Sequence, residues 1–308
     1  MGTPDFAVAS LAALLNQQFQ VVAVVTAPDK PAGRGLELKP SAVKAFAAAN
    51  QIPVLQPIKL KDPAFIAELA SYQADLQVVV AFRMLPEIVW NMPPLGTINV
   101  HGSLLPRYRG AAPINWALIN GDSETGVTTF KLQHEIDTGA VLLQERIPIT
   151  ADMNAGLLHD IMKETGGQVL VKTLEDYLDG TLTPTPQEQL PDFDATTLPH
   201  APKIFTETCQ IDWTQSAQAI HNRVRGLSPF PGAFTRLNGK QLKIYATQVE
   251  ATSGTGVPGS CCVVEKDQWL IQTGAGLLRL LLVQLEGKKR MDAADFLRGH
   301  QVEGQLLE

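Results

Sequence analysis

Cysteines, aromatic residues and long apolar runs are all scarce in this sequence of 308 residues. The three cysteines, Cys209, Cys261 and Cys262, have no CxxC spacing that would suit zinc, and the adjacent pair cannot form an ordinary disulfide with each other. No apolar stretch approaches the ~18–20 residues that cross a bilayer, and the first residues lack the pattern of a signal peptide. We therefore expect a soluble, cytoplasmic protein with reduced thiols.

Positive charge is also in deficit, with 25 basic against 31 acidic side chains and a net charge of −6. This balance argues against a protein that coats nucleic acid through bulk charge. The deficit is confined to one part of the chain, because residues 1–203 carry a balance of −7 and residues 204–308 a balance of +1. The C-terminal part is thus compatible with a local nucleic-acid contact, although its composition does not require one.

The first 180 residues contain short β-branched runs that alternate with helical patterns. Such runs are typical of strands that are buried on both faces of a parallel sheet. Strands are predicted at Val21–Val25, Leu76–Ala81, Thr97–His101, Val127–Leu132 and Val141–Ile149, and helices at Ser41–Asn50, Asp62–Tyr72, Ala112–Asn120 and Gly156–Leu178. The alternation predicts an α/β fold with a doubly wound, Rossmann-like parallel sheet.

The composition changes after residue 180. Residues 181–203 are rich in proline and threonine without periodicity, which is typical of a linker. A helix is predicted beyond it, followed by closely spaced short strands: Ser216–Arg225, then Ala233–Leu237, Leu242–Val249, Cys261–Val264, Trp269–Thr273 and Leu277–Leu285. This spacing predicts a small, OB-like β-barrel. The expected organisation is a domain at 1–180, a linker at 181–203 and a second domain at 204–308.

The densest polar group of residues lies at the end of the predicted strand Thr97–His101. Asn99 and His101 are two positions apart, so their side chains point to the same face of the sheet, at the edge where open α/β sheets bind ligands. An amide beside an imidazole can stabilise a developing oxyanion, and the imidazole can move a proton. Either residue alone could simply complete a strand end, but the pair favours a catalytic site.

Asp137 is the second candidate, directly before Thr138-Gly139 and between two predicted strands. It is either an Asx-type turn residue or a carboxylate that orients an imidazole or takes a proton. A metal site made of His134 and Asp137 would lack further ligands, so no metal is expected.

The third candidate is the loop Pro28–Lys39, which carries Lys30 and Arg34 among prolines and glycines. Its length and composition suit a functional loop. An ordinary solvated loop is equally compatible with the same composition.

Several motifs together carry a resemblance to a known family. Asn99-Val-His101 is followed by Ser103-Leu-Leu-Pro106 and, 36 residues after the histidine, by Asp137-Thr-Gly139. Other matching motifs are Met1-Gly-Thr-Pro-Asp-Phe6, Pro28-Asp-Lys-Pro-Ala-Gly-Arg-Gly35 and Pro229-Phe-Pro-Gly-Ala-Phe234. In order and spacing, over nearly the whole chain, the sequence resembles the folate-dependent formyltransferases, and its match to the branch that acts on methionyl-tRNA is close.

The resemblance implies transfer of a formyl group from 10-formyltetrahydrofolate to the α-amino group of methionyl initiator tRNA, for translation initiation. By the same analogy the catalytic residues are Asn99, His101 and Asp137. The resemblance also implies that Ser103, Leu104, Leu105 and Pro106 line the tetrahydrofolate site. Lys30 and Arg34 would contact the tRNA, and residues 204–308 would hold the tRNA body.

Two departures from the family's pattern concern the start of the chain and the tRNA contacts. The family has a β-strand before the Met-Gly-Thr-Pro-Asp-Phe motif, so we predict that the true start lies several codons upstream of Met1. After Arg34-Gly35 the family often carries lysines, where this chain has Leu36-Glu37-Leu38. The second departure leaves the exact tRNA contacts of this loop open.

Two other functions remain open at the level of the sequence. A formyltransferase that acts on an amino sugar nucleotide would use the same donor and the same three catalytic residues. A non-catalytic RNA- or folate-binding protein would need no such set of residues. We expect a monomer, because the sequence shows no heptad seam and no unexplained apolar face.

Overall fold

A computed structural model describes residues 1–32, 37–191, 193–250, 254, 256–264 and 267–308 of the chain. The chain divides into two compact units. The first unit comprises Met1–Gly110, Gly126–Ile147 and His159–His200, and the second comprises Ala111–Thr125, Pro148–Leu158 and Ala201–Glu308.

Helices and strands alternate along the first half of the chain, and strands dominate the second half. The helices are α1 (Asp5–Asn16), α2 (Ala42–Ala49), α3 (Pro63–Ser71), α4 (Glu87–Trp90), α5 (Pro113–Ile119), α6 (Ala155–Leu178), α7 (Thr206–Cys209), α8 (Ala217–Leu227) and α9 (Ala293–Gly299), with a 3-10 turn at Gln187–Gln189. The strands are β1 (Val24–Val25), β2 (Lys30–Ala32), β3 (Glu37–Lys39), β4 (Val54–Leu55), β5 (Gln77–Val80), β6 (Thr97–His101), β7 (Arg109–Gly110), β8 (Glu124–Lys131), β9 (Val141–Pro148), β10 (His200–Ala201), β11 (Ala233–Leu237), β12 (Lys240–Glu250), β13 (Cys261–Val264), β14 (Gln268–Gln272), β15 (Leu277–Leu285) and β16 (Met291–Asp292). Within the described ranges, no helix combines the length and apolar character needed to cross a bilayer.

The sheet of the first unit positions the candidate site. Its strand order is β5-β6-β8-β9, with β5 and β6 parallel and β8 antiparallel to β6. A second parallel pair, β1 and β4, lies beside it. Gly2 connects the two groups of strands: its N–H donates to Val25 O at 3.0 Å, and Gly2 forms a parallel bridge with Val80. The predicted upstream start of the chain stays a prediction.

Local sequence signals explain where the helices of the first unit begin. The Ser41 hydroxyl accepts a hydrogen bond from the Lys44 N–H at 3.0 Å and caps α2. Asp62 caps α3 by accepting from the Ala64 N–H at 2.9 Å, and Pro63 occupies the first turn. These helices bury apolar side chains against the strands, in a core that consists of Val25, Leu55, Leu60, Phe65, Leu69, Val79, Leu85 and Val89.

The second unit is built on an antiparallel sheet in the order β11-β12-β15-β14-β13, with β16 paired to β15. Its buried core is apolar and includes Trp269, whose ring stacks on that of Phe296 at 5.1 Å. Among the described residues, no strand pairing joins β13 to β11, so the sheet is an open, OB-like version of the predicted barrel. The predicted fold class, a Rossmann-like α/β domain followed by an OB-like domain, is confirmed.

The three cysteines all belong to the second unit and are free thiols. Cys209 and Cys261 are buried, whereas Cys262 is exposed. Burial raises the pKa of the Cys261 thiol to about 11. Cys261 is therefore a poor nucleophile and serves as a small apolar residue of the core.

Candidate active site

Strand β6 carries the first two candidate residues. Asn99 pairs with Phe130 and His101 with Thr128 on β8, so the two side chains lie on the same face of the sheet. Phe130 is fully buried, and its ring is nearly perpendicular to that of His101, with the ring centroids 6.4 Å apart. The imidazole is thus held against an apolar wall at the end of the strand.

The two ring nitrogens of His101 have different partners. Nε2 lies 2.9 Å from the carbonyl oxygen of Tyr108. A carbonyl oxygen can only accept, so Nε2 carries a proton and donates this hydrogen bond. Nδ1 lies 3.9 Å from Oδ2 of Asp137, which is too long for a hydrogen bond but close enough for an ion pair. The ring of His101 therefore turns Nδ1 toward the Asp137 carboxylate and Nε2 toward the Tyr108 carbonyl.

Asp137 stands on a tight turn that fixes its carboxylate. Its φ of 55° lies in the left-handed region, which aspartate tolerates better than most residues. The N–H of Gly110 donates to Oδ2 at 2.9 Å. Gly139 completes the turn, where any Cβ would lie 1.7 Å from the carbonyl oxygen of Lys131. The side chains of His101 and Asp137 remain only 8% and 12% exposed.

Asn99 is half-buried. No residue of the described ranges forms a hydrogen bond with its side-chain amide. The amide is thus available to a ligand at the end of β6, on the same face as His101. An available amide donor beside an imidazole and a carboxylate suits a reaction in which negative charge develops on an oxygen.

Hydrogen bonds with the Thr128 side chain hold the segment Ser103–Pro106 in place. The Thr128 hydroxyl accepts from the Leu105 N–H at 3.0 Å and donates to the Ser103 carbonyl at 2.6 Å. Gln144 donates to the Leu105 carbonyl at 2.8 Å. Ser103, Leu105 and Pro106 are buried, and Leu104 is the half-buried member of the segment. The whole segment is predicted to line a ligand site, but only Leu104 is partly exposed.

Sequence reasoning missed Gln187, which contacts the Asp137 turn. Its side-chain amide donates to the carbonyls of Asp137 and Gly139, and its Oε1 accepts from Arg109. Gln187 lies in the stretch 181–203, which the sequence predicts as an irregular linker. No local motif marks it, because its partners stand about 50 and 80 positions earlier in the chain.

The structure describes the two ends of the candidate loop Pro28–Lys39. Lys30 is exposed on β2, which pairs with β3 so that Lys30 faces Lys39. At the base of the loop, Lys44 Nζ lies 2.6 Å from Asp29 Oδ2, and hydrogen bonds from Lys44 and Gln56 keep the pKa of the Asp29 carboxyl below its usual range. Arg34 lies outside the described residues.

His134, considered with Asp137 as a possible pair of metal ligands, faces another carboxylate. His134 is exposed, and its Nδ1 lies 3.7 Å from Glu87 Oε2. Among the described residues, the one cluster with the spacing of metal ligands is Asp5, His159 and Asp160, in another part of the chain. The ammonium of Lys163 lies 3.0 Å from Asp160 and 3.4 Å from Asp5. The positive charge beside these carboxylates is therefore that of a lysine side chain.

Residues 1–174 match the family described as formyl transferase, and residues 203–301 match the formyl transferase C-terminal domain. The chain belongs to the formyl transferase family. Two relatives are about half identical to it over nearly the full length. The methionyl-tRNA formyltransferase of Parabacteroides distasonis is 52% identical over 97% of this chain and 94% of its own, and that of Porphyromonas gingivalis is 50% identical over 99% and 96%. The resemblance seen in the sequence motifs is confirmed.

A solved structure with the same architecture comes from another formyl transferase. The crystal structure of WlaRD, a sugar 3N-formyl transferase, in the presence of dTDP and 5-N-formyl-THF, has a TM-score of 0.67 to this chain. It covers 94% of this chain and 97% of its own at 20% sequence identity. A likeness at this level of identity shows the fold alone.

Proposed function

We propose that the protein transfers a formyl group from 10-formyltetrahydrofolate to the α-amino group of methionyl initiator tRNA. The observation that carries a transfer reaction is the placement of His101 and Asp137, with Nδ1 and Oδ2 3.9 Å apart beside the available amide of Asn99. The names of the two half-identical relatives support methionyl-tRNA as the acceptor. The formylated folate present with the sugar formyl transferase in its crystal structure supports a folate donor.

His101 and Asp137 would handle the proton of the acceptor amine. Nδ1 of His101 and Oδ2 of Asp137 are both acceptors, so an amine placed between them can donate to each. As the new C–N bond forms, His101 takes the amine proton at Nδ1, and the nearby carboxylate stabilises the resulting imidazolium. His101 then returns this proton to the departing nitrogen of the donor, so the reaction consumes no net proton.

Asn99 would stabilise the oxygen of the tetrahedral intermediate. His101 already uses its Nε2 proton for the Tyr108 carbonyl, which leaves the Asn99 amide as the donor that is available at this face. Stabilisation of a developing oxyanion by one such donor typically contributes about 10²–10³-fold in rate.

The half-buried Leu104 is the part of Ser103–Pro106 that we propose to contact the folate. Its side chain packs on the backbone of Gly126, where a Cβ would lie 2.5 Å from Leu104 Cδ2. Because Thr128 and Gln144 already occupy the backbone groups of Ser103 and Leu105, Leu104 would contribute an apolar contact rather than a hydrogen bond.

The tRNA would contact both units. On the first unit, Lys30 on β2 and Arg34 in the same loop would meet the acceptor stem. Their positive charges suit the phosphates of the stem, because Lys and Arg side chains bind nucleic-acid backbones through charge.

A group of basic and aromatic side chains on the second unit would hold the tRNA body. Phe230 is 82% exposed. Lys243 is half-buried and its Nζ donates to the Pro231 carbonyl at 2.9 Å, and the Arg290 guanidinium lies 3.5 Å from the Tyr245 ring centroid. We call Phe230, Lys243 and Arg290 the cationic surface. An exposed aromatic ring and two cations suit RNA, which offers bases to stack and phosphates to pair.

The division of labour follows from these sites. Residues 1–180 would form the catalytic domain and 204–308 the tRNA-binding domain, joined by the predicted linker 181–203, whose Gln187 packs on the first unit. The protein would act in the cytoplasm, because formylation of initiator tRNA serves translation initiation there. It would act as a monomer and without a metal.

The test compares three acceptors with 10-formyltetrahydrofolate as the donor: methionyl initiator tRNA, a dTDP-linked amino sugar and free methionine. We expect rapid formylation of the tRNA and little of the other two. Transfer to the amino sugar alone would establish the sugar nucleotide alternative. Tight binding of the charged tRNA without transfer to any acceptor would establish a binding protein.

A further inference from the structure

Gln187 is a buried polar residue whose side chain is fully used by hydrogen bonds. It is 0% exposed, although glutamine usually lies at the surface. Nε2 donates to the carbonyls of Asp137 and Gly139 at 2.8 and 2.9 Å. Oε1 accepts from Nε and Nη2 of Arg109 at 3.0 and 2.6 Å. A buried amide with this many partners defines the position of everything it contacts.

The two carbonyls bound by Gln187 flank the turn that carries the Asp137 carboxylate. Asp137 has a φ of 55°, so its backbone is in a strained region that needs support from its surroundings. The exposed residues before it, from Gln133 to Ile136, offer little packing. One amide group that bridges Asp137 and Gly139 fixes the turn on both sides of Thr138.

Arg109 links Gln187 to the carboxylate itself. The next residue, Gly110, donates its N–H to Asp137 Oδ2 at 2.9 Å. Gln187 therefore holds the backbone of Asp137 directly and, through Arg109, the segment that holds its side chain. The Thr185 N–H and the Val141 N–H each donate to the other's carbonyl at 2.8 Å, which docks this part of the chain next to β9.

We propose that Gln187 is a positioning residue for formyl transfer, which sets the Asp137 carboxylate at its distance from His101 Nδ1. The proposal rests on the roles given to His101 and Asp137 in the proposed function. A misplacement of about 1 Å at a reacting group can cost about 10²-fold in rate. Loss of Gln187 should thus reduce catalysis while leaving the binding of both substrates intact.

Gln187→Glu is the most direct variant, because it keeps the shape and exchanges the amide N–H₂ for an oxygen. The new oxygen would face the carbonyls of Asp137 and Gly139, whereas the bonds to Arg109 would remain. We expect kcat to fall roughly tenfold to a hundredfold, with KM for methionyl-tRNA and for 10-formyltetrahydrofolate within about twofold of wild type. Gln189→Glu, at an exposed position of the same turn, adds the same charge and should leave both constants unchanged.

A double-variant cycle with Asp137→Asn separates positioning from a structural role. If Gln187 acts through Asp137, Gln187→Glu should cost little further rate in the Asp137→Asn background. Losses that multiply, or a Gln187→Glu protein with wild-type kcat and a lowered Tm, would overturn the proposal. If Gln187→Glu does not fold, Arg109→Lys tests the same connection from its other end, with the same expected loss of kcat.

The proposed function itself can fail separately. Wild-type activity of Asp137→Asn would remove Asp137 from the reaction and with it the basis of the proposed function. An impaired Asp137→Asn beside a fully active Gln187→Glu would overturn the positioning role alone.

Discussion

The site at the end of β6 and the cationic surface of the second unit use polar side chains in opposite ways. Around the site, His101, Asp137 and Gln187 are nearly or fully buried, and protein groups on several segments hold them in place. On the cationic surface, Phe230 and Arg290 are exposed, and the Arg290 guanidinium rests on the ring of Tyr245.

The difference reflects two kinds of work. A group that moves a proton must stand at a fixed distance from its partner, so its geometry is stabilised by neighbours before the substrate arrives. A group that neutralises a phosphate acts as a charge in solvent, and its exact position matters less. Variants at the site should therefore change kcat, and variants of the cationic surface should change KM for the tRNA and its dependence on salt.

The largest effect is expected at His101 and Asp137. His101→Ala removes the proton acceptor, and Asp137→Ala removes the carboxylate that stabilises the imidazolium, so each should lower kcat by about 10²–10³-fold. Initial rates of formyl transfer to methionyl-tRNA, with Tm as the check on folding, measure this. Near-wild-type rates for either folded variant would contradict the catalytic roles of His101 and Asp137, because the buried groups would then be structural.

The second largest effect is expected at Thr128, which supports the Ser103–Pro106 segment. Thr128→Val leaves the Leu105 N–H and the Ser103 carbonyl without their partner, and a buried unpaired group costs about 1–3 kcal/mol. Urea unfolding should show a loss of this size. Thr125→Val is the matched control, since the Thr125 hydroxyl is buried without a partner among the described residues, and its removal should be neutral or stabilising. Equal losses for the two variants would contradict the role given to the Thr128 hydroxyl.

The sequence predicts some of the strands accurately and others only in part. The patterns at Thr97–His101, Ala233–Leu237 and Leu277–Leu285 predict those strands to the residue, because each run is regular and its ends carry turn signals. Val21–Val25 is a strand only at Val24–Val25. Val21, Val22 and Ala23 fit the apolar pattern but do not belong to the strand. Strand pairing depends on neighbouring segments, and a local pattern does not describe those.

The sequence likewise predicts only a part of the site, because local patterns do not describe contacts between distant segments. Asn99 and His101 share a face by the period of a strand, so their proximity follows from the sequence. The Tyr108 carbonyl on His101 and the Gln187 amide on Asp137 depend on how separate segments pack. Such contacts are set by tertiary structure, and the proline-rich composition around Gln187 predicts a linker there rather than a buried residue.

A smaller effect is expected on the cationic surface. Arg290→Gln removes one exposed charge and should raise KM for methionyl-tRNA a few-fold without changing kcat, and it should lower the slope of log affinity against log salt by about 1. Lys172→Gln on α6 is the control, since Lys172 is an exposed lysine of the first unit, paired with Asp176 at 3.0 Å. A fall in kcat for Arg290→Gln at saturating tRNA would contradict the assignment of catalysis to the site at the end of β6 and of tRNA binding to the cationic surface.

The smallest effect concerns His221, a half-buried titratable side chain of the second unit outside the cationic surface. Burial, followed by the nearby charge of Arg225, lowers the pKa of its imidazole below the ordinary value of 6.5, and Nδ1 lies 3.0 Å from the Thr247 hydroxyl. Because the unfolded chain then binds a proton more readily than the folded one, this group favours the folded state above pH 6.5 and loses that contribution as the pH falls.

His221→Gln keeps a polar group beside Thr247 but cannot be protonated. We expect the Tm of the wild type to fall more between about pH 7.5 and about pH 5.5 than that of His221→Gln, by on the order of 1 °C, while kcat at the higher pH is unchanged. Parallel Tm curves would show that the imidazole is solvated in the folded protein. A change in kcat would instead connect this histidine to the reaction, and buried polar groups with catalytic consequences would then occur in both units.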